Sequence, residues 1–404
     1  MPGRPRRASP TPTAATTDAG RLCPHFPDCP GCPWIDRPYQ EQLDAKHEGV
    51  TRALRAELGD DAAGAVETVV PAVRQTGYRV QAKHVVARTR SGLTIGLYRP
   101  GTHHVADATG CPLHDRLIAR TLPVLRDALI RTAAPIHSMS HTSDAARRGV
   151  RYALLRASIR ERRVLVTLVS SHPSLPQAEG IARALRSALP LAGLLLNTNA
   201  TAGNVIVGAR TRRIWGETEL RDRYGDVELS ASPVAFVQAN TRMAARIYGA
   251  IADAAALRGG ERVVDLYCGV GGIALTLAPR AREVVAIEAE PAAVRAAQAN
   301  ARRNRRRNVR VEVARVEERR ELLGALAPDL VTLNPPRKGC GPAVAAALGD
   351  ARVPRVLYLS CDPASFARDA AVLVRGGYRL ERVRPFDLMP HTEHVELLGE
   401  FRLP

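Results

Sequence analysis

Of the seven cysteines in this 404-residue chain, Cys361 occupies the most suggestive place. It lies in Leu359-Ser360-Cys361-Asp362-Pro363, where an apolar strand candidate, Arg355–Leu359, runs out. A thiol at such a strand end can serve as a nucleophile. One chemistry that needs it is alkylation at C5 of uracil, a carbon that is barely nucleophilic until a thiolate adds at C6 and converts the ring to an enolate. A base must afterwards remove the C5 proton. The tail segment Pro390-His391-Thr392-Glu393-His394-Val395-Glu396 offers two carboxylates and two imidazoles, and spacing alone does not choose between Glu393 and Glu396. A second strand candidate ends in Asn334-Pro335-Pro336-Arg337-Lys338-Gly339. Asn-Pro-Pro also suits methylation of an exocyclic adenine amine, but there an aromatic residue normally follows to stack the base, and here Arg337 follows.

The electrophile is indicated by Asp265-Leu266-Tyr267-Cys268-Gly269-Val270-Gly271-Gly272-Ile273-Ala274, which follows a strand candidate and opens a helical stretch. Its glycines let backbone approach a ligand at a helix start. Gly269-x-Gly271-x-x-Ala274 fits a dinucleotide fingerprint too. Asp265 separates the readings: an acid before the first glycine would sit beside the positive amino-acid end of S-adenosylmethionine, whereas it would repel a pyrophosphate. The methyl donor is therefore favoured. Glu288, ending the next strand, would accept hydrogen bonds from ribose hydroxyls in either case. Cys268 reads as a small buried hydrophobe in the glycine turn.

Another group of cysteines is spaced for ligation. Cys23, Cys29 and Cys32 are separated by five and two residues, and Cys111 stands in Thr109-Gly110-Cys111-Pro112. In a reducing compartment such spacing speaks for metal binding rather than for disulfides. Four thiolates suit zinc, and a close triplet plus a remote cysteine followed by proline is also used by iron–sulfur proteins. Cys340 receives no role.

The elements that must position these residues divide the chain. Residues 1–20, rich in Pro, Thr and Ala, read as a disordered tail. Residues 21–75 form a Cys-rich module with a helical pattern over Tyr39–Leu58. Residues 76–227 read as a β-rich domain, with strand candidates Tyr78–Ala87, Leu93–Tyr98 and a hairpin over Tyr152–Ser170, and one helix near Gln177–Ala188. In residues 228–404 the apolar runs Arg262–Leu266, Glu283–Glu288, Val309–Ala314, Leu330–Leu333 and Arg355–Leu359 alternate with Ala-rich helical stretches, which predicts an α/β fold with a doubly wound, Rossmann-like parallel sheet. Ligands of such sheets bind outside the carboxyl ends of the strands, where Cys361 and Asn334 fall.

Charge names the partner class. Lys+Arg 58 against Asp+Glu 40 leaves +18, and such a surplus favours a polyanion, nucleic acid first. Tyr78-Arg79 and Arg151-Tyr152 pair an aromatic ring with a cation, as stacking on single-stranded RNA uses, and core tyrosines fit the same positions. The run Arg302-Arg303-Asn304-Arg305-Arg306-Arg307 closes a helix, where solvated cations complement the dipole. His103 and His104 read as surface loop residues. No run approaches the ~18 apolar residues of a membrane span and no signal-peptide core follows Met1, so a cytoplasmic protein is expected.

Taken together, Phe236-Val237-Gln238-Ala239-Asn240, the glycine turn, Asn334-Pro335-Pro336-Arg337, Ser360-Cys361-Asp362-Pro363 and His391–Glu396 closely resemble the RNA uracil-C5 methyltransferases, over nearly the whole chain from Cys23. The cysteine cluster, Glu41-Gln42-Leu43-Asp44-Ala45-Lys46, the Asn-Pro-Pro-Arg variant and the lack of an N-terminal RNA-binding barrel look most like the RlmC type, which methylates 23S ribosomal RNA. The resemblance implies Cys361 as nucleophile and Glu396 as base, with Glu393 an extra carboxylate. It implies S-adenosylmethionine held around Gln238, Asp265, Tyr267, Gly269, Glu288 and Asn334, and a 4Fe–4S cluster on Cys23, Cys29, Cys32 and Cys111. Asn334 matches a position that is commonly Asp and contacts the target uracil; a carboxamide can accept from N3–H while donating to O4. Where the family usually carries an acid for the adenine amino group this chain has Arg315, with Glu317 two residues on, so that contact is unassigned. Rival readings are a transfer-RNA T-loop uracil-C5 enzyme, an adenine-N6 or cytosine-C5 methyltransferase, and a non-catalytic iron–sulfur RNA-binding protein. Cytosine-C5 enzymes acting on RNA commonly carry cysteines in both strand-end motifs, and Pro336 fills the first one here. A non-catalytic descendant would have lost Cys361 or the tail carboxylates.

Overall fold

The computed structural model describes residues 22–90, 92–138, 148–201, 205–233 and 235–404. The tail expected over residues 1–20 lies outside them. Helix α1 (Tyr39–Leu58) forms over the span its pattern indicates, and its Val50 and Leu54 are fully buried in the core of the C-terminal sheet.

The first large sheet contains β1 (Gln81–Thr89), β2 (Gly92–Tyr98), β3 (Val105–Asp107), β4 (Val150–Ser158), β5 (Arg163–Ser170), β6 (Leu191–Thr198) and β7 (Arg210–Gly216) in the order β3-β2-β1-β4-β5-β6-β7. It is antiparallel except at β5–β6. Helices α2 (Arg116–Arg131) and α3 (Ala178–Ala188) bury Ile118, Leu122, Leu125, Ile181 and Leu185 in the same core as this sheet. The sequence reading finds α3 and overlooks α2, because Pro123 interrupts its pattern. The Asp115 cap, which accepts from the Leu117 amide, and the i, i+4, i+7 run Ile118, Leu122, Leu125 were the available signals. A two-stranded ribbon, β8 (Leu220–Tyr224) with β9 (Val227–Ala231), leads to helix α4 (Thr241–Ala255), capped by Asn240.

The C-terminal sheet runs β12-β11-β10-β13-β14-β16-β15, built from β10 (Arg262–Leu266), β11 (Glu283–Glu288), β12 (Val309–Val313), β13 (Leu330–Leu333), β14 (Arg355–Ser360), β15 (Arg379–Phe386) and β16 (Glu396–Arg402). Strands β10 to β14 are parallel and β16 is antiparallel to both of its neighbours. The order in which strands are added reverses between β10 and β13, the switch point outside whose carboxyl ends open α/β sheets bind ligands. Crossover helices α5 (Gly272–Leu277), α6 (Pro291–Arg303), α7 (Pro342–Asp350) and α8 (Pro363–Arg375) link the parallel strands or follow them. Proline at the first turn presets φ in three of these helices. Asp362 caps α8 by accepting from the Ser365 amide at 2.7 Å.

Candidate active site at the strand ends

Asp265, near the carboxyl end of β10, is 0% exposed. One carboxylate oxygen accepts from Thr332 Oγ1 at 2.7 Å and the other from the Ala274 amide at 3.0 Å. Burial pushes this carboxyl up to about 7, against those two hydrogen bonds, with Glu288 adding to the rise. Both oxygens thus accept hydrogen bonds within the fold, joining β10, β13 and α5. The turn beyond it is made by left-handed residues: Tyr267 (φ 60°), Gly269 (φ 54°) and Gly271 (φ 92°). A Cβ on Gly269 would meet no atom within 4 Å, so the turn borders open space. The Gly269 amide donates to Glu288 Oε2 at 3.0 Å and the Glu290 amide to Glu288 Oε1 at 2.9 Å. These bonds fix the Glu288 carboxylate and leave it lone pairs for further donors.

Asn334 follows β13, half-buried, with its amide donating to Leu266 O at 3.3 Å. The loop after it is braced from beneath. Asp369 accepts from the Cys340 amide at 2.8 Å, the Gly341 amide at 3.3 Å and the Tyr358 hydroxyl at 2.6 Å. Gly339 has φ 83° and a Cβ there would strike the Asp369 carboxylate, which explains the glycine. Gln238 is buried two residues before Asn240, whose side chain both caps α4 and donates to Leu388 O at 3.0 Å. Arg315 pairs with Glu318, and Glu317 Oε1 lies 3.5 Å from the Tyr267 hydroxyl.

Cys361 and Glu396 meet at the next strand pair. Ser360 on β14 is registered with Leu397 on β16, so the following residue, Cys361, and the residue that starts β16, Glu396, stand side by side at the sheet's end. Glu396 is buried, makes no side-chain hydrogen bond among the described residues, and is pushed up to about 7 by desolvation, partly offset by Arg337. The Cys361 thiol is half-buried and raised by desolvation and then by Glu396, while Arg337 lowers it. Arg337 is therefore the cation shared by thiol and carboxylate, and its Nη2 lies 3.4 Å from His394 Nε2. The sequence reading weighed Arg337 as a missing aromatic and as part of the Asn-Pro-Pro-Arg variant; its charge role depends on Cys361 and Glu396, on other strands, for which no local spacing exists. Glu393 is exposed.

Cys23, Cys29, Cys32 and Cys111, all unpaired, line one cavity whose walls include Phe26, Ile35, Leu97 and Leu113. Arg79, His84 and His114 also face it. The Arg79 Nε is buried with no hydrogen-bond partner among the described residues, on the wall of the cavity that the four thiols line. Burial, with Cys111 next, pushes the Cys32 thiol up to about 12. Among the described residues no three Cys, His, Asp or Glu side chains are close enough to hold a single metal ion.

Comparison with known proteins accords with this architecture. The tRNA (uracil-5-)-methyltransferase family profile matches residues 202–399. An uncharacterized RNA methyltransferase of Geobacter sulfurreducens is 36% identical over 377 residues, covering 93% of this chain and 75% of its own. Another, from Nitratidesulfovibrio vulgaris, is 36% identical over 399 residues, covering 95% and 83%. Among solved structures, the Pyrococcus abyssi tRNA (uracil-54, C5)-methyltransferase in complex with S-adenosyl-L-homocysteine superposes with a TM-score of 0.75 at 25% identity, covering 93% of this chain and 86% of that one. With its parallel sheet, its glycine turn and these relatives along nearly its full length, the chain belongs to the family of RNA methyltransferases that they represent.

Proposed function

We propose that this protein methylates C5 of a uridine in 23S ribosomal RNA, with Cys361 as nucleophile, Glu396 as base and S-adenosylmethionine as donor. The observation that carries the reading is the side-by-side position of Cys361 and Glu396 at the end of β14 and β16, beside Arg337. When bound, S-adenosylmethionine supplies an electrophilic methyl group. Gln238, Tyr267, Gly269, Glu288 and Asn334 would hold it, with Asp265 acting through the turn it braces. Open space at Gly269 and the preset Glu288 carboxylate fit that ligand.

The Cys361 thiolate forms a bond to C6 of the uracil, and the C5–C6 π electrons move into an enolate ending at O4. C5 then takes the methyl group, whose bond to sulfur breaks and leaves a neutral thioether. Glu396 removes the remaining C5 proton; those electrons restore the double bond and expel the Cys361 thiolate. A carboxyl near 7 is matched to this duty, since a substantial fraction is ionised at neutral pH and that form is a stronger base than an ordinary carboxylate. Arg337 favours the thiolate form of Cys361, against burial and the nearby Glu396.

The four cluster cysteines would hold a 4Fe–4S group. A cubane spans more space than one ion, in keeping with four free thiols around a shared cavity, and its negative charge would meet Arg79. Bound there, it would tie the Cys23–Cys32 loop to the segment carrying Cys111.

Likeness to the Pyrococcus abyssi enzyme, named for tRNA uracil-54, supports a second reading with transfer RNA as substrate. Incubation of the purified protein with S-adenosylmethionine and either 23S rRNA or tRNA, then mass spectrometry of nucleosides, separates the two. We expect 5-methyluridine in 23S rRNA; methylation of tRNA alone would establish the second reading, and N6-methyladenosine or 5-methylcytidine would overturn both.

A further inference from the structure

We propose that Gln42 is a positioning residue for Glu396, an assignment that rests on the reading of Glu396 as the base. Because Glu396 makes no side-chain hydrogen bond among the described residues, its carboxylate is placed by burial, by the charge of Arg337 and by the path of the backbone that enters β16 opposite Phe386. That path is anchored just upstream. Tyr39 Oη and Lys46 Nζ donate to Asp387 at 2.7 and 2.5 Å, Asn240 to Leu388 O at 3.0 Å, Lys46 to Met389 O at 3.2 Å and Tyr78 Oη to Pro390 O at 3.2 Å. His391 receives the densest contact. Its amide donates to Gln42 Oε1 at 2.8 Å, its Nδ1 lies 3.2 Å from Gln42 Nε2, and its carbonyl accepts from the Trp34 amide at 3.1 Å.

Gln42 is 0% exposed and spends its remaining capacity on Trp34 O at 3.0 Å and Arg37 O at 2.9 Å. One carboxamide thus joins α1, the loop that begins two residues after Cys32, and the segment leading to the base. His391 adopts φ 66°, an uncommon conformation for a residue with a Cβ, and Gln42 Oε1 holds its backbone amide. Without that clamp His391 can relax to negative φ, and the short run to Glu396 must then change direction. An amide serving only to join two elements would leave the chemistry intact; this one grips the peptide five residues before the base. Misplacement by about 1 Å is enough to cost on the order of a hundredfold in rate.

Glu396 acts only after methyl transfer, so its displacement has a specific signature. In single turnovers with RNA and S-adenosylmethionine, Gln42→Ala should form the covalent protein–RNA adduct at a rate within about threefold of wild type and release it roughly ten- to a hundredfold more slowly. A denaturation-resistant complex would accumulate while the RNA concentration for half-maximal rate is unchanged. Tyr78→Phe, which deletes a single hydrogen bond to Pro390, should show the same partition to a smaller degree and serves if Gln42→Ala fails to fold. Adduct release at the wild-type rate, or equal slowing of formation and release, would overturn the assignment. If wild type run alongside makes no 5-methyluridine, the reading of the reaction fails first and the assignment with it; wild-type product with unaltered partition in the folded variant condemns the assignment alone.

Discussion

Thr332 on β13 donates a 2.7 Å hydrogen bond to its register partner Asp265 on β10, across the switch point of the sheet. The carboxyl, ordinarily near 3.8, is raised to about 7 chiefly by burial. A raised acid favours the folded state fully below its unfolded value and loses that contribution as pH climbs through the folded one. Here the loss falls between about pH 4 and pH 7 and amounts to something on the order of 4 kcal/mol. Asp265→Asn cannot ionise, so its stability relative to wild type should improve steadily over that window. Urea unfolding at pH 5, 6, 7 and 8 reads the difference; parallel profiles would mean that Asp265 titrates like an ordinary surface acid.

Gly269 offers a cleaner probe of the donor pocket, because the turn is left-handed there and open space lies beside it. Saturating S-adenosylhomocysteine should raise the melting temperature of wild type, by about 2.7 kcal/mol of stabilisation at a hundred times Kd, while NAD should leave it unchanged. Gly269→Ala should still fold, at a cost of roughly 1–2 kcal/mol for the left-handed residue, and lose most of that thermal shift. A shift with NAD instead would return the sheet to dinucleotide chemistry.

Much of the sheet is legible because its interior strands are continuous apolar runs: β10, β11 and β13 have the boundaries read from sequence, and β12 and β14 differ by one residue. Strands β15 and β16 are not anticipated. The first carries Arg379, Glu381, Arg382 and Arg384 at the sheet edge and includes Pro385, and the second begins inside a segment whose histidines and carboxylates read as chemistry. Motifs contained in a few residues, such as Ser360-Cys361-Asp362-Pro363, are visible as sequence. Relations made by folding are not: Gln42 and His391 are 349 positions apart, and the residue type of Asp265 carries no sign that both its oxygens face inward.

Cys29 tests the cluster. Protein purified without oxygen should be brown and contain iron and acid-labile sulfide, and Cys29→Ser should lose colour and iron and unfold at lower temperature, since ligand binding at such sites contributes to folding. Residual RNA methylation should fall through weakened structure, with no change in redox requirement, because no step of the transfer moves electrons to or from the cluster. A colourless protein with one zinc ion would assign the four thiols to zinc.

Arg337 sets the balance between Cys361 and Glu396, and the pH dependence of the two half-reactions should reveal it. Cys361→Ala should give neither adduct nor product, whereas Glu396→Gln should add, transfer methyl and stall as a covalent complex, since an amide cannot take the C5 proton. Glu393→Gln, altering an exposed neighbour, should still turn over. In wild type, adduct release requires ionised Glu396 and should rise with pH through about 7 before levelling. Arg337 holds that carboxyl down and also lowers the Cys361 thiol. Arg337→Gln should therefore move the midpoint of release upward and slow adduct formation at neutral pH, while Arg337→Lys, which keeps the charge, should restore part of both. Single-turnover time courses from pH 6 to 9 measure the two rates separately. A release profile flat across this range, or stalled adduct in Glu393→Gln and not in Glu396→Gln, would take the base away from Glu396.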